Sequence, residues 1–336
     1  MLRGHWEGIA MHRIATLAAG LGFAAAAFGP AAQAADEAWP SRPVKIVVPY
    51  TPGTGIDILA RTLGQKLGEG WKTAVVVENK PGASGAIGTE AVAKAAADGY
   101  TLLMQASTIA MEPHLHRKSS YDPVKDFAPV LPVALGSLGL VVNPSVKAAT
   151  VAELVALAKS KPGALTYASP GSGTPHHLAM ELFKARTGID VLHVPYKGTG
   201  GAVQDLLGGQ VNMMFLPVHV ALAQVEAGKL RLLAAGGTRR AAVTPNVPSL
   251  AEASGISDID VDIWYALYVP AGTPPAIIAR LNTDVNALLK SPEVADVLAK
   301  QGLTPTGGSP ADLATLTEKD LARWGRVIRD AHITAE

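Results

Sequence analysis

The sequence predicts an α/β chain of two domains, on two observations. Along most of the 336 residues, short β-branched runs alternate with Gly-rich loops and with segments whose apolar residues recur at helical spacing. Such alternation builds parallel sheets from strand–helix–strand units. Two long extended stretches, Phe127 to Val142 and Ile259 to Val269, break the rhythm without a helix of matching length. A chain that leaves one domain and returns to it needs two connections, so both stretches are read as strands crossing between domains. Domain I then comprises about 36–136 plus 264–336, and domain II about 137–263.

Residues 1–34 stand outside that scheme. Arg3, His12 and Arg13 precede an apolar run from Ile14 to Phe28, and Ala32-Gln33-Ala34 follows. This is the basic, apolar and small-residue order of a secretory signal peptide, with cleavage expected after Ala34. The apolar core is shorter than the ~20 residues a membrane anchor needs.

Strand Val44 to Tyr50 closes on Thr51-Pro52-Gly53-Thr54-Gly55, and a helix follows with Ile56, Leu59, Ala60, Leu63 and Leu67 on one face. The unit recurs as strand Ala74 to Val77, a helix from about Gly85 to Ala97, and strand Tyr100 to Met104. In the middle of the chain, helix 150–160 leads to strand Leu165 to Ala168 and the loop Ser169-Pro170-Gly171-Ser172-Gly173. Thr174-Pro175 then supplies an N-cap with Pro at the first helical position, and the helix runs to Gly188. Strands Val191 to Val194, Val211 to Phe215 and Leu230 to Ala235 alternate with helices near 199–207 and 218–226. Thr273-Pro274 and Ser309-Pro310 are read as caps of two further helices, the second inward along Leu313, Leu316, Leu321, Trp324 and Ile328.

Composition narrows the function. Lys plus Arg number 29 against 28 Asp plus Glu, with no long run of one sign, so nucleic acid is not an expected partner. The absence of Cys excludes disulfides, thiol catalysis, Cys-ligated zinc and iron–sulfur clusters. No G-x-S-x-G elbow, Walker motif or H-E-x-x-H occurs, and Gly53-x-Gly55 has Ile58 where a dinucleotide fingerprint needs its third glycine.

In α/β sheets ligands sit beyond the carboxyl ends of strands. Two loops suit that role, Tyr50 to Asp57 in domain I and Ser169 to His176 in domain II. Each joins glycines and hydroxyls to the positive end of a helix, a natural seat for a carboxylate. Thr54 and Asp57 have the spacing of a capping box, so Asp57 is expected to organise its loop. His176 and His177 diverge on a helix, which argues against two-point metal ligation and favours hydrogen bonding by His176 at the helix start. Asp258, Asp260 and Asp262 alternate with Ile259, Val261 and Ile263, which reads as a strand with one wet face.

The chain resembles the extracytoplasmic substrate-binding proteins of tripartite tricarboxylate transporters, the Bug family. The markers include Trp39-Pro40-x-Arg42-Pro43, Val48-Pro49-Tyr50-x-Pro52-Gly53, Asp57-x-x-Ala60-Arg61 and Glu78-Asn79-Lys80-Pro81-Gly82-Ala83. Later come Asp98-Gly99-Tyr100-Thr101-Leu102, Leu165-Thr166-Tyr167-Ala168-Ser169, His193-Val194-Pro195-Tyr196-Lys197-Gly198 and Pro270-Ala271-Gly272-Thr273-Pro274. The resemblance implies a periplasmic binding protein of type II-like form, whose two α/β domains close like a flytrap across two crossing hinge strands. It implies no catalysis and no cofactor or metal. It implies a monomer that hands a small carboxylate to membrane permease subunits.

In the family the ligand is held by backbone and hydroxyl groups. That places Tyr50, Thr51, Gly53, Thr54, Gly55, Ile56 and Asp57 on one side of the ligand, and Ser169, Gly171, Ser172, Gly173, Thr174 and His176 on the other. The family pattern adds Ser107, Tyr196, Lys197, Gly198, Leu216 and Pro217 as pocket wall. Members carry a second glycine at Thr54, a Ser or Thr at Ile56 and an acid where Leu216-Pro217 stand. These departures imply a less polar ligand, an aromatic or aliphatic mono- or dicarboxylate. The competing readings are a sensor that partners a membrane kinase and a secreted hydrolase.

Overall fold

Strand β1 (Val44–Val48) is the run of β-branched residues read from the sequence, and all but Lys45 are buried. The computed structural model describes residues 39–116 and 119–334, so the signal-peptide reading of 1–34 lies outside the described residues. In order follow α1 (Gly55–Trp71), β2 (Val75–Asn79), α2 (Ala86–Ala93), β3 (Thr101–Ala106) and the short α3 (Glu112–Leu115). Next come β4 (Phe127–Gly136), β5 (Leu138–Val142), α4 (Val151–Ser160), β6 (Thr166–Ser169), α5 (Pro175–Thr187) and β7 (Leu192–Pro195). Then stand α6 (Thr199–Leu207), β8 (Met213–Pro217), α7 (Val218–Glu226), β9 (Arg231–Ala235) and α8 (Leu250–Ser254). The chain ends with β10 (Ile263–Pro270), α9 (Pro275–Leu289), α10 (Pro292–Lys300), β11 (Leu303–Pro305) and α11 (Pro310–Asp330).

The strands form two sheets, ordered β11-β4-β10-β3-β1-β2 and β7-β6-β8-β5-β9. The fold is thus α/β with two sheet-centred lobes, but the sheets are mixed rather than parallel. β1 is parallel to β2 and β3, and β6 to β7 and β8. β10 is antiparallel to both β3 and β4, and β5 to both β8 and β9. The reason is topological: a strand that leaves a lobe and one that returns beside it run in opposite directions. β4 passes into β5 through Ser137 alone, so the first crossing is extended throughout. The second is strand only from Ile263, because 256–262 has no ladder partner.

That segment corrects the reading of a wet-faced strand. Asp258 pairs with Arg186 of α5, Asp260 with Arg323 of α11 at 3.6 Å, and Asp262 is buried. Ile259 and Val261 are buried between them, so the alternation reports anchoring on both sides and no ladder face.

The ends of α5 and α11 follow local chemistry. Thr174 accepts from the His177 amide, Pro175 opens α5, and Gly188 closes it at φ 69°. Ser309 and Asp312 form a full capping box on α11. On its inner face Leu313, Trp324 and Ile328 are joined by Thr317 and Asp320, which take the Tyr268 hydroxyl and the Trp264 indole N–H, both at 2.7 Å. The expected cap Thr273 instead donates to the Pro270 carbonyl at 2.7 Å, and α9 starts after Pro274.

Ser309→Ala removes a reciprocal cap and is expected to lower stability by about 1 kcal/mol. Leu140→Ala empties a fully buried site in β5 and is expected to cost about 2–5 kcal/mol. Urea unfolding of both variants reads the difference, and equal losses would contradict the burial assigned to Leu140.

Candidate ligand site at the strand ends

Because β1, β2 and β3 run parallel, their carboxyl ends bring Tyr50 to Asp57, Asn79 to Gly85 and Ser107 to one edge of the first sheet. The parallel trio β6, β7 and β8 does the same for Ser169 to Thr174, Tyr196 to Gly198 and Leu216-Pro217. Loops far apart in sequence are therefore neighbours.

In the first loop the polar side chains are spent on architecture. Asp57, 2% exposed, accepts from the Gly53 amide at 2.9 Å, Arg61 Nε at 3.0 Å and Asn79 Nδ2 at 2.9 Å. Burial pushes its carboxyl upward, yet the Arg61 guanidinium, the Gly53 amide and the Asn79 amide outweigh it and hold Asp57 below the usual carboxylate range. The expected capping box does not form. Asp57 turns to Gly53, and Thr54 Oγ1 donates to the Thr51 carbonyl at 2.9 Å.

The Tyr50 hydroxyl donates to Gln105 Oε1 at 2.8 Å and bonds Thr108. Ile56 packs into the core with Leu59 and Leu63. What remains for a guest is backbone and the exposed Thr51 hydroxyl. The first ladder bond of α1 runs from the Ile58 amide to the Thr54 carbonyl, so the amides of Gly55, Ile56 and Asp57 have no carbonyl within the helix. Thr51 and Gly53 are exposed beside them, with Gly53 at φ 82°.

The second loop is held in the same manner. Ser169 Oγ lies 2.7 Å from His193 Nε2 and 3.0 Å from the Gly171 carbonyl, to which Thr174 Oγ1 also donates at 2.7 Å. The Tyr196 amide donates to the Ser169 carbonyl and the Gly198 amide to the Pro170 carbonyl, zipping the ends of β6 and β7 together.

The Gly173 amide donates to His177 Nδ1 at 3.0 Å, which requires that nitrogen to be unprotonated. Burial, then the charges of His193 and Lys184, push His177 down to about 3. Its ring stacks on His193 at 3.9 Å between centroids, and His193 stacks on Tyr167 at 4.7 Å. The Tyr196 hydroxyl donates to Asp205 at 2.6 Å, and burial together with that carboxylate raises it to about 12. Lys197 is exposed, Ser172 and Pro217 are half-buried, and Leu216 packs fully with Val141, Ala168 and Leu206.

The helix-start hydrogen bond expected of His176 belongs to His177 instead. Both ring nitrogens of His176 are shielded from solvent and have no hydrogen-bond partner, as has Ser107 Oγ in the other lobe. Burial pushes His176 down to about 4, so its ring is neutral at neutral pH. The two lobes touch nearby, through Leu115 and Gly173. Ser107 opens a 3-10 turn that leads to α3, whose Leu115 lies so close to Gly173 that a Cβ there would stand 2.7 Å away.

Sequence reasoning missed Gln105, Thr108, His193 and Leu115, which act across the fold and leave no local signal. The Arg61–Asp57 pair was missed as well, although its i, i+4 spacing is a local signal that could have found it. Among the described residues no group of three His, Asp or Glu side chains could hold a metal ion, and no helix is long and apolar enough to cross a membrane.

Residues 59–333 match the profile of the tripartite tricarboxylate transporter family receptor. The chain belongs to this family. Among relatives, protein BugT of Bordetella pertussis is 38% identical over 316 residues, covering 94% of this chain and 97% of that one. The solved structure of R. palustris Rpa4515 with adipate is 36% identical with a TM-score of 0.77, covering 89% of this chain and all of that one. MatC from Rhodopseudomonas palustris, with bound malate, is 30% identical with a TM-score of 0.72, covering 86% and 99%.

Asp57→Ala strips three donors of their acceptor and is expected to lower stability by about 1–3 kcal/mol. Because the folded-state value of Asp57 is lowered, its contribution is present above the ordinary carboxylate range and is lost as pH falls through the lowered value. Acid titration of unfolding stability should accordingly be shallower in Asp57→Asn than in the parent. A parallel pair of curves would remove the carboxylate from the loop's support.

Proposed function

We propose that this receptor is periplasmic, acts as a monomer without turnover, and captures a small carboxylate with a largely apolar body. It holds the ligand between the loops Tyr50 to Asp57 and Ser169 to His176 and delivers it to a permease of the tripartite transporter. One observation carries the reading. Ser107 and His176 present polar atoms that are buried and unpaired, one in each lobe, at the end of β3 and in the first turn of α5. An unpaired buried polar group costs about 1–3 kcal/mol, which a bound acceptor removes.

Charge supports the same class. Each helix start contributes roughly half a positive charge, so the two together suit one or two carboxylates. The two loops hold no Lys or Arg; of the neighbouring strand-end segments Lys197 is exposed and Lys80 pairs with Glu78 at 3.0 Å, and the one acid in the loops, Asp57, is already satisfied. A densely charged polycarboxylate would find little to balance it. The bound adipate of the related R. palustris protein is the kind of molecule this seat suits.

Thermal shift and calorimetry with adipate, benzoate and citrate test the proposal. A ligand at a hundredfold excess over its dissociation constant stabilises the fold by about 2.7 kcal/mol. Adipate or benzoate should do so and citrate should not. Ser107→Ala and His176→Leu should each weaken binding by about 10- to 100-fold while circular dichroism stays unchanged. Unaltered affinity in both variants would mean that the ligand sits elsewhere.

A further inference from the structure

The two chain connections between the sheets meet at one buried carboxyl. Asp262 closes the 256–262 segment immediately before β10, where Ile263 pairs with Gly136 at the end of β4. The residue is 8% exposed, and its carboxyl accepts from the Leu138 amide at 3.4 Å and is drawn toward the ionised form by the nearby Gly237 amide and Ser137 hydroxyl. Ser137 and Leu138 belong to the outgoing crossing, Gly237 follows β9, and Asp262 belongs to the return. Rotation of one lobe against the other therefore has to move these donors relative to this acceptor.

We propose that Asp262 is a proton-operated latch at the hinge, so that the lobes change their relative arrangement when its carboxyl releases a proton. The proposal rests on the two-lobed receptor reading but not on the identity or position of the ligand.

Every neighbouring charge is accounted for. On the same segment Asp260 takes the Asp262 amide at 3.2 Å and presses a like charge on it. From α11, Arg323 donates to the Asp260 carbonyl at 2.8 Å and is shared with Asp320 at 2.9 Å. From the loop after β9 come Arg239 and Arg240. Arg240 is engaged by Glu252 at 2.7 Å and the Pro245 carbonyl at 3.0 Å, whereas Arg239 is exposed and has no carboxylate partner among the described residues. Asp262, Arg239 and Arg240 line a cavity of about 610 Å³ to which Pro132 and Ser137 of the outgoing crossing and Trp264 of β10 also contribute.

Burial first, and the Asp260 carboxylate second, raise Asp262 to about 7 against the pull of its three donors. A raised carboxyl favours the present buried arrangement when protonated, and that preference is lost as pH rises through its own value. Once ionised, Asp262 gains by opening into the cavity, where water and the unpaired Arg239 receive it.

The native chain has no Cys, so a single labelled pair reports lobe geometry. Val76→Cys on β2 and Leu192→Cys on β7, both 53% exposed and on edge strands of the two sheets, carry donor and acceptor dyes. Single-molecule energy transfer is then followed without ligand from about pH 5.5 to about pH 8.5, either side of the expected midpoint. The distribution should shift with pH in the parent and stay at its acid-side form in Asp262→Asn. Asp260→Asn, which removes the like charge, should move the midpoint down by about one unit and keeps the test open if Asp262→Asn misfolds. A parent distribution that ignores pH, a shift that survives in Asp262→Asn, or an unmoved midpoint in Asp260→Asn would overturn the latch. None of these outcomes bears on whether adipate binds.

Discussion

The antiparallel pairing of β4 with β10 is the constraint on which the rest of the structure depends. One strand carries the chain out of the first lobe and the other brings it back, and their ladder from Phe127–Pro270 to Gly136–Ile263 locks both connections side by side. That ladder occupies the middle of the six-stranded sheet. It leaves β1, β2 and β3 as a parallel group on one flank, with β11 on the other. Since parallel strands deliver all their carboxyl ends to one edge, the loops that can meet a ligand are gathered by sheet direction alone. The same logic in the second sheet gathers the ends of β6, β7 and β8.

Within those loops, side chains and backbone divide the labour. Asp57, Asn79 and Arg61 bind one another and the Gly53 amide, and Ser169, Thr174 and His177 bind the backbone of their own loop, with His193 of β7 against the Ser169 hydroxyl. Spending side chains this way leaves the helix-start amides of Gly55, Ile56 and Asp57 in α1, and that of His176 in α5, free and rigidly placed. Pre-ordered donors lose little freedom when a ligand arrives, so a seat made of backbone can hold an anion without a fixed cation. The stacked pair His177 and His193 fits this role, because a neutral imidazole can accept from Gly173 where a protonated one could not.

The acids of 258–262 are used differently from any surface acid. Asp258 and Asp260 are each tied to an Arg, on α5 and α11, so this strap touches helices of both lobes. Asp262 has no cation, only amides and a hydroxyl from the outgoing crossing and the turn after β9. A carboxyl in that position is sensitive to the geometry of the hinge because nothing else neutralises it.

The sequence by itself determined the elements and the family of loops. Short β-branched runs, Gly-rich turns and caps such as Thr174-Pro175 and Ser309 act through neighbours within a few residues, so their consequences are legible in order along the chain. Tertiary structure decided strand direction, which turned the expected parallel sheets into mixed ones, and it decided which polar residue serves which purpose. Thr54 and Asp57 have the spacing of a capping box, yet Arg61, Asn79 and Gly53 compete for Asp57 and win by offering more bonds, Asn79 from another strand. His176 and His177 are equivalent on paper. Only the packing of His193 and Tyr167 against one of them determines which is bonded and which stays unpaired. Local signals set helices and turns because the energies involved are local, while the site and the hinge depend on burial and on partners brought together only once the chain has folded.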